Sequence, residues 1–153
     1  MTVRDLGAGF DSYREWATDP RPRVGLGLPF FDNRTNGGLA QDEIAMVQAF
    51  SSVGKTAVAL NIVLANPTIP VLMFSMEMNW RMVAARVAAM DLRTSTAELE
   101  ARMKAGDESA NQVAGQLDGV YSKFRMFMCD DTPGISLRDA TTAFEQATDA
   151  LGT

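Results

Sequence analysis

A chain of 153 residues with 46% hydrophobic and 22% charged content can bury one core, which excludes a disordered or fibrous chain as the first reading. With no histidine and a lone cysteine, Cys129, the usual zinc sites, imidazole-based triads and an internal disulfide are excluded, so any catalysis falls to carboxylates, lysine, hydroxyls or a bound metal. The formal net charge of −5 argues against a broad basic surface for nucleic acid, although basic residues confined to a channel would be compatible with it.

The chain opens Met-Thr-Val-Arg-Asp, without the apolar run of a signal peptide. No later stretch approaches the roughly eighteen apolar residues of a membrane span, so a cytoplasmic protein that makes no use of a membrane is expected. Leu6, Phe10, Tyr13 and Trp16 recur every three to four residues, which predicts a helix over residues 2–18 with its aromatic side chains on one face. Asp19-Pro20 stops it, and the Pro- and Gly-rich residues 20–29 read as a linker. The organisation expected is therefore a helical arm over 1–19, a linker over 20–29 and an α/β domain over 30–153. The arm either caps its own domain or docks on a neighbouring subunit.

Asn36-Gly37-Gly38 marks a tight reversal, after which residues 44–49 are apolar except for Gln48 and predict a short buried strand. Residues 55–65 carry an unbroken helix pattern that ends at Asn66-Pro67, and residues 70–76 predict a second strand buried on both faces. Helices are expected over 79–90, 95–104 and 107–124, the second opened by a Ser95/Glu98 capping box. Residues 126–129 read as a third strand, Asp131-Thr132-Pro133-Gly134 as a turn, and 136–151 as a last helix capped by Ser136. Strand and helix alternate, which predicts a parallel sheet flanked by helices.

The strongest chemical pattern is Ala49-Phe50-Ser51-Ser52-Val53-Gly54-Lys55-Thr56, a phosphate-binding loop with alanine where the first glycine is expected. The triplet Gly54-Lys55-Thr56 alone is a weak signal, but its place between an apolar strand pattern and an uninterrupted helix is the context the motif requires. Backbone amides of Ser51, Ser52, Val53, Gly54, Lys55, Thr56 and Ala57 would converge on phosphate oxygens, helped by the positive end of the helix dipole. Lys55 would neutralise the β- and γ-phosphates, and the Thr56 hydroxyl would complete the coordination of Mg²⁺.

Glu77 follows the second strand, at the sheet edge where ligands bind in open α/β folds, and could orient and deprotonate an attacking water. The alternative is a surface glutamate at the start of the next helix. Asp130 and Asp131 follow an apolar strand, as a Mg²⁺-binding Walker B aspartate would. The turn chemistry of Asp131-Thr-Pro-Gly is the favoured reading of the two.

These residues resemble the RecA-like motor domain of DnaB-type replicative DNA helicases, especially phage versions. Phe31-Asp32 through Thr35 with Gly38-Leu39, and then residues 49–61 (Ala-Phe-Ser-Ser-Val-Gly-Lys-Thr-Ala-Val-Ala-Leu-Asn), look like the family's entry loop and phosphate loop, which alanine or glycine opens. Residues 71–78 (Val-Leu-Met-Phe-Ser-Met-Glu-Met) are similar to its next motif, whose glutamate is the proposed catalytic base, here Glu77. Residues 126–136 look like the strand and turn that precede the family's Walker B strand. Phe50 departs from the arginine common at that place, and Asp42 stands where glycine is usual.

The resemblance covers nearly all of the chain beyond residue 24. It implies a RecA-like P-loop NTPase, incomplete on its C-terminal side, because the family's Walker B aspartate, DNA-binding loops, glutamine sensor and arginine finger lie beyond the equivalent of Thr153. The family's amino-terminal primase-facing domain has no counterpart here either. It further implies ATP and Mg²⁺ as cofactors, Lys55 and Glu77 as catalytic residues, and a hexameric ring translocating on single-stranded DNA during replication in a bacterial or phage-infected cell. The chain alone would then be an inactive part of such an ATPase. Two alternatives stand beside it: a shortened, non-catalytic relative that modulates a partner ring through Phe10, Tyr13 and Trp16, and a recombinase-like or circadian-clock-like ATPase of the same fold.

Overall fold

The computed structural model describes residues 5–129 and 134–152. Helix α1 (Leu6–Ala17) leads into an extended stretch and the single-turn α2 (Pro29–Asp32). After the loop come α3 (Lys55–Ala65), β1 (Val71–Phe74), three helices α4 (Trp80–Asp91), α5 (Thr96–Ala105) and α6 (Glu108–Tyr121), then β2 (Met126–Cys129) and α7 (Leu137–Leu151). The helices lie within a residue or a few of the spans that local sequence predicts.

β1 and β2 pair in parallel, Val71 opposite Met126 and Phe74 opposite Cys129, with α4, α5 and α6 forming the crossover between them. A parallel pair needs such a crossover because its second strand must start at the same end as the first. Side chains alternate along each strand, so Met73, Met126 and Met128 share one face and pack on the core built from Leu60, Val83, Val87, Leu99, Val113 and Val120. Leu60, Val83, Val113 and Val120 are fully buried, each contributing roughly 1.5–3 kcal/mol from the removal of its side chain from water. The opposite face, with Leu72, Phe127 and Cys129, looks towards Ala143, Gln146 and Ala147 of α7. A small parallel sheet clad in helices is consistent with a RecA-like domain.

One expected element is absent. Residues 44–49 form no strand and lie exposed, with Ile44 at 94% and Met46 at 88% of full accessibility. An apolar sequence supplies side chains for a strand, but its amides and carbonyls need a neighbouring ladder, and among the described residues the sheet consists of β1 and β2 alone.

Helix starts follow local chemistry. Ser136 and Asp139 form a complete capping box at α7, and Asn79 caps α4 by accepting the Met82 amide at 3.0 Å. At α5 only half of the expected box forms. Ser95 Oγ accepts the Glu98 amide at 3.0 Å, but the Glu98 carboxylate accepts the Thr94 hydroxyl at 2.7 Å instead of returning to Ser95.

Within the stretch expected as a linker, Val24 exchanges backbone hydrogen bonds with Leu39 at 2.8 and 2.9 Å. The Asp32 carboxylate accepts the amides of Leu26 and Leu28 at 2.7 and 2.9 Å, folding residues 24–32 into a tight loop. Asn36, Gly37 and Gly38 all take positive φ, as the expected reversal requires. On α1, Phe10 and Tyr13 are exposed, and the helix meets the body where the Arg23 guanidinium lies 5.3 Å over the Trp16 ring. Asp130 and the first three residues of the Asp131 turn lie outside the described residues.

Candidate functional site

The loop before α3 is shaped by its backbone. Ser52 adopts φ +64° and Gly54, the N-cap of α3, adopts φ +100°. A Cβ on Gly54 would meet nothing nearer than Ala57 Cβ at 4.0 Å, so the left-handed backbone, not crowding, is what calls for glycine there. Lys55 folds back across the loop, its ammonium donating to the carbonyls of Ala49 at 2.9 Å and Phe50 at 3.0 Å. Those two bonds tie the loop's entrance to the start of the helix.

The loop leaves donors free. Gly54 offers no side chain to cap α3, and the first intrahelical bond in this turn runs from the Val58 amide to the Gly54 carbonyl at 3.0 Å. The amides ahead of Val58 therefore point out of an open helix end, where a negatively charged oxygen is favoured. The Thr56 hydroxyl lies half-buried one residue after Lys55 and makes no hydrogen bond with another described residue. Ser51, Ser52 and Val53 are exposed on the same loop, as is Ala57 on the first turn, while Phe50 projects from the loop at 90% accessibility. Open amides, one cation and a free hydroxyl suit a phosphate-bound Mg²⁺, an ion that keeps most of its waters and takes few protein ligands. No cluster of three or more acidic or thiol groups suited to a metal occurs among the described residues.

Glu77 owes its position to Ser75. That serine is buried at 7% accessibility, and its hydroxyl donates to the Met78 carbonyl at 2.7 Å while accepting the Met78 amide at 3.1 Å. The Ser75 amide meanwhile donates to Cys129 at 3.0 Å, one step beyond the ladder. Pinned at both ends, the turn throws Met76 and Glu77 outward past the carboxyl end of β1. Glu77 stands two residues before the Asn79 cap, and the first turn of α4 carries no acid, so Glu77 does not serve that helix as a first-turn carboxylate. No hydrogen bond or ion pair joins Glu77 to Lys55 among the described residues.

Local sequence marks the loop, Lys55 and the strand-end glutamate as candidates, but it does not mark the residues that hold the frame. Asn61 of α3 and its C-cap Asn66 bind the backbone of residues 25–27, and Asn61, a weak helix former in mid-helix, is a local sign of such a contact. Among the described residues no helix is long and apolar enough to cross a membrane. In comparison with known proteins, a family model for the DnaB-like helicase C-terminal domain matches residues 24–151. No curated protein and no solved structure matches the chain.

Proposed function

The chain belongs to the family of DnaB-like helicase C-terminal domains, a replicative helicase type, and from that premise we propose that it is the ATP-binding part of a hexameric helicase that translocates on single-stranded DNA. The observation that carries the reading is the Lys55 ammonium folded onto the Ala49 and Phe50 carbonyls beside an uncapped helix start. Lysine and open amides at one helix end supply a cation and amide donors for an anion.

In this reading the amides of residues 51–57 receive the phosphate oxygens, and Lys55 exchanges its carbonyl partners for the β- and γ-phosphates. The Thr56 hydroxyl would hold a Mg²⁺ ion, which would supply charge neutralisation for the phosphates. The Glu77 carboxylate orients a water and accepts its proton. Glu77, Phe50 and Val53 are all exposed, which supports a reading in which a neighbouring copy closes the reacting zone. Turnover then depends on ring assembly, and the separate chain binds nucleotide weakly and hydrolyses it hardly at all.

The test is titration of the purified chain with a fluorescent ATP analogue and Mg²⁺, alongside Lys55→Ala and Glu77→Gln. Saturable binding is expected, weakened at least tenfold by Lys55→Ala and retained by Glu77→Gln, since a charge-assisted contact of about 1.5–3 kcal/mol is lost only in the first. Binding indifferent to Lys55 would refute the site. Steady turnover by the unassembled chain, abolished by Lys55→Ala, would refute the dependence on a neighbour.

A second reading is a non-catalytic relative that modulates a partner ring, for which the exposed Phe10 and Tyr13 with Trp16 of α1 would be the contact. It requires capture of a full-length helicase, with loss of capture on Trp16→Ala, by a chain that does not bind nucleotide.

A further inference from the structure

Helix α3 is held at both ends by groups of different kinds. Gly54 is its N-cap, and its first turn carries Lys55 and Thr56. Asn61 in its second half and Asn66 at its C-cap grip a segment more than thirty positions earlier in the chain. Asn61 Nδ2 donates to the carbonyls of Leu26 at 2.9 Å and Gly27 at 3.0 Å, across sequence separations of 35 and 34. Asn66, buried at 8% accessibility, accepts the Gly25 amide at 2.9 Å and donates to the Gly25 carbonyl at 2.7 Å and to Ile62 at 2.6 Å. A buried amide side chain is tolerated only when its groups are bonded, and here they are. The fit is close as well, because a Cβ on Gly27 would stand 2.4 Å from Asn61 Nδ2.

The gripped segment leads directly to the arm. Arg23, two residues before Gly25, donates to the carbonyls of Thr35 at 3.2 Å and Gly38 at 3.1 Å while its guanidinium covers the Trp16 ring. Trp16, Arg23, Ala40 and Gln41 line one shallow cavity at the root of α1. A continuous set of directional contacts thus runs from the first turn of α3, along a rigid rod roughly 16 Å long, to the aromatic arm.

We propose that α3 is a strut that couples phosphate occupancy of the 49–57 loop to the placement of α1, with Asn61 and Asn66 as the clamp at its far end. The proposal rests on the nucleotide reading of that loop. When Lys55 leaves the Ala49 and Phe50 carbonyls for a phosphate, the start of α3 exchanges one set of restraints for another. The packed core around Leu60 and Val63 allows the helix to respond as a body, not by bending. The asparagine bonds carry that shift to residues 25–27, and Arg23 carries it to Trp16. The arm would then present its aromatic face differently in the occupied and empty states.

The chain has two tryptophans, so Trp80→Phe leaves Trp16 as the sole reporter. In that background, emission and acrylamide quenching of Trp16 are followed during titration with ATP and Mg²⁺, and binding is measured in parallel with a fluorescent ATP analogue. The expected result is a saturable change in Trp16 quenching whose midpoint matches that of binding. Asn61→Ala, which cuts the clamp, and Arg23→Ala, which cuts the link to the arm, are expected to keep binding and helix content but lose the Trp16 response. Binding without any Trp16 response, or a response that survives both substitutions, overturns the coupling while leaving the nucleotide site standing. Absence of binding overturns the nucleotide reading and the coupling with it.

Discussion

Asp42 holds its backbone at φ +67°, the left-handed region that glycine enters freely and that most residues avoid. The sequence motif that the chain resembles has glycine there, and the conformation explains why aspartate can stand in, since its short polar side chain tolerates this region better than most. Asp42→Gly is expected to leave stability within about 0.5 kcal/mol, because the relief of backbone strain is offset by the greater freedom of glycine in the unfolded chain. Asp42→Val, β-branched in the same conformation, is expected to cost about 1–2 kcal/mol. Urea denaturation of the three proteins checks both, and equal stability for Gly and Val would show that the turn relaxes out of the left-handed region. Residue identities at the loop were legible in the same way, since Gly54, Lys55 and Thr56 announce a backbone and a charge. The outward setting of Glu77 was not legible, because it follows from the burial of Ser75 and its two bonds to Met78, which no local pattern reveals.

Elements whose determinants are local came through from sequence with little error. α7 starts where Ser136 and Asp139 cap each other, and α3 ends where Asn66 and Pro67 stop it. Residues 44–49 show the opposite case. Their composition is that of a buried strand, but strand formation is decided by a partner, and the side chains stay exposed without one. Amide exchange makes the contrast measurable. The amides of residues 44–48 are expected to exchange without protection, while Ser75, bonded to Cys129, and the paired residues of β1 are protected. Slow exchange over 44–48 in the separate chain would mean that the segment finds a ladder after all.

The α7 cap also carries a pH dependence whose sign is fixed. Hydrogen bonds from the Ser136 hydroxyl, first, and then from the Ser136 amide hold the Asp139 carboxyl below its usual range. A lowered folded value means that the carboxylate favours the helix at all pH above the ordinary carboxyl range. That contribution fades as pH falls below about 4 and is gone once the lowered value is passed. Amide NMR shifts of residues 137–140 should therefore show fraying of the helix start as pH falls through and below the ordinary carboxyl range, fraying that is absent in Asp139→Asn. Ser136→Ala should cost about 1 kcal/mol at neutral pH through loss of the cap. A start of α7 equally ordered across that range in the parent protein would rule out the carboxylate's part in it.

At the scale of the whole molecule, the arm is the feature that the fold leaves unexplained. Leu6, Phe10 and Tyr13 lie on one face of α1 and remain exposed, while Trp16 alone is drawn against Arg23. Such a row of apolar side chains on a charged chain is costly in water, and burying it against a second protein surface would gain roughly 25 cal/mol for each Å² of apolar area covered. Sequence showed the stripe but could not choose its partner, because helical spacing is the same whether a face packs inward or outward. The body of this chain leaves the stripe uncovered, and the ring proposed above would make a neighbouring copy its partner. Sedimentation over a wide concentration range is expected to show self-association that Phe10→Ser with Tyr13→Ser weakens by tenfold or more, equivalent to about 1.4 kcal/mol or more, with helix content of the body preserved. Self-association unchanged by both substitutions would move the subunit contact to the exposed loop side chains Phe50 and Val53. A chain that stays monomeric throughout, yet still binds a full-length helicase through α1, would turn the molecule from a subunit of its own ring into a ligand of another.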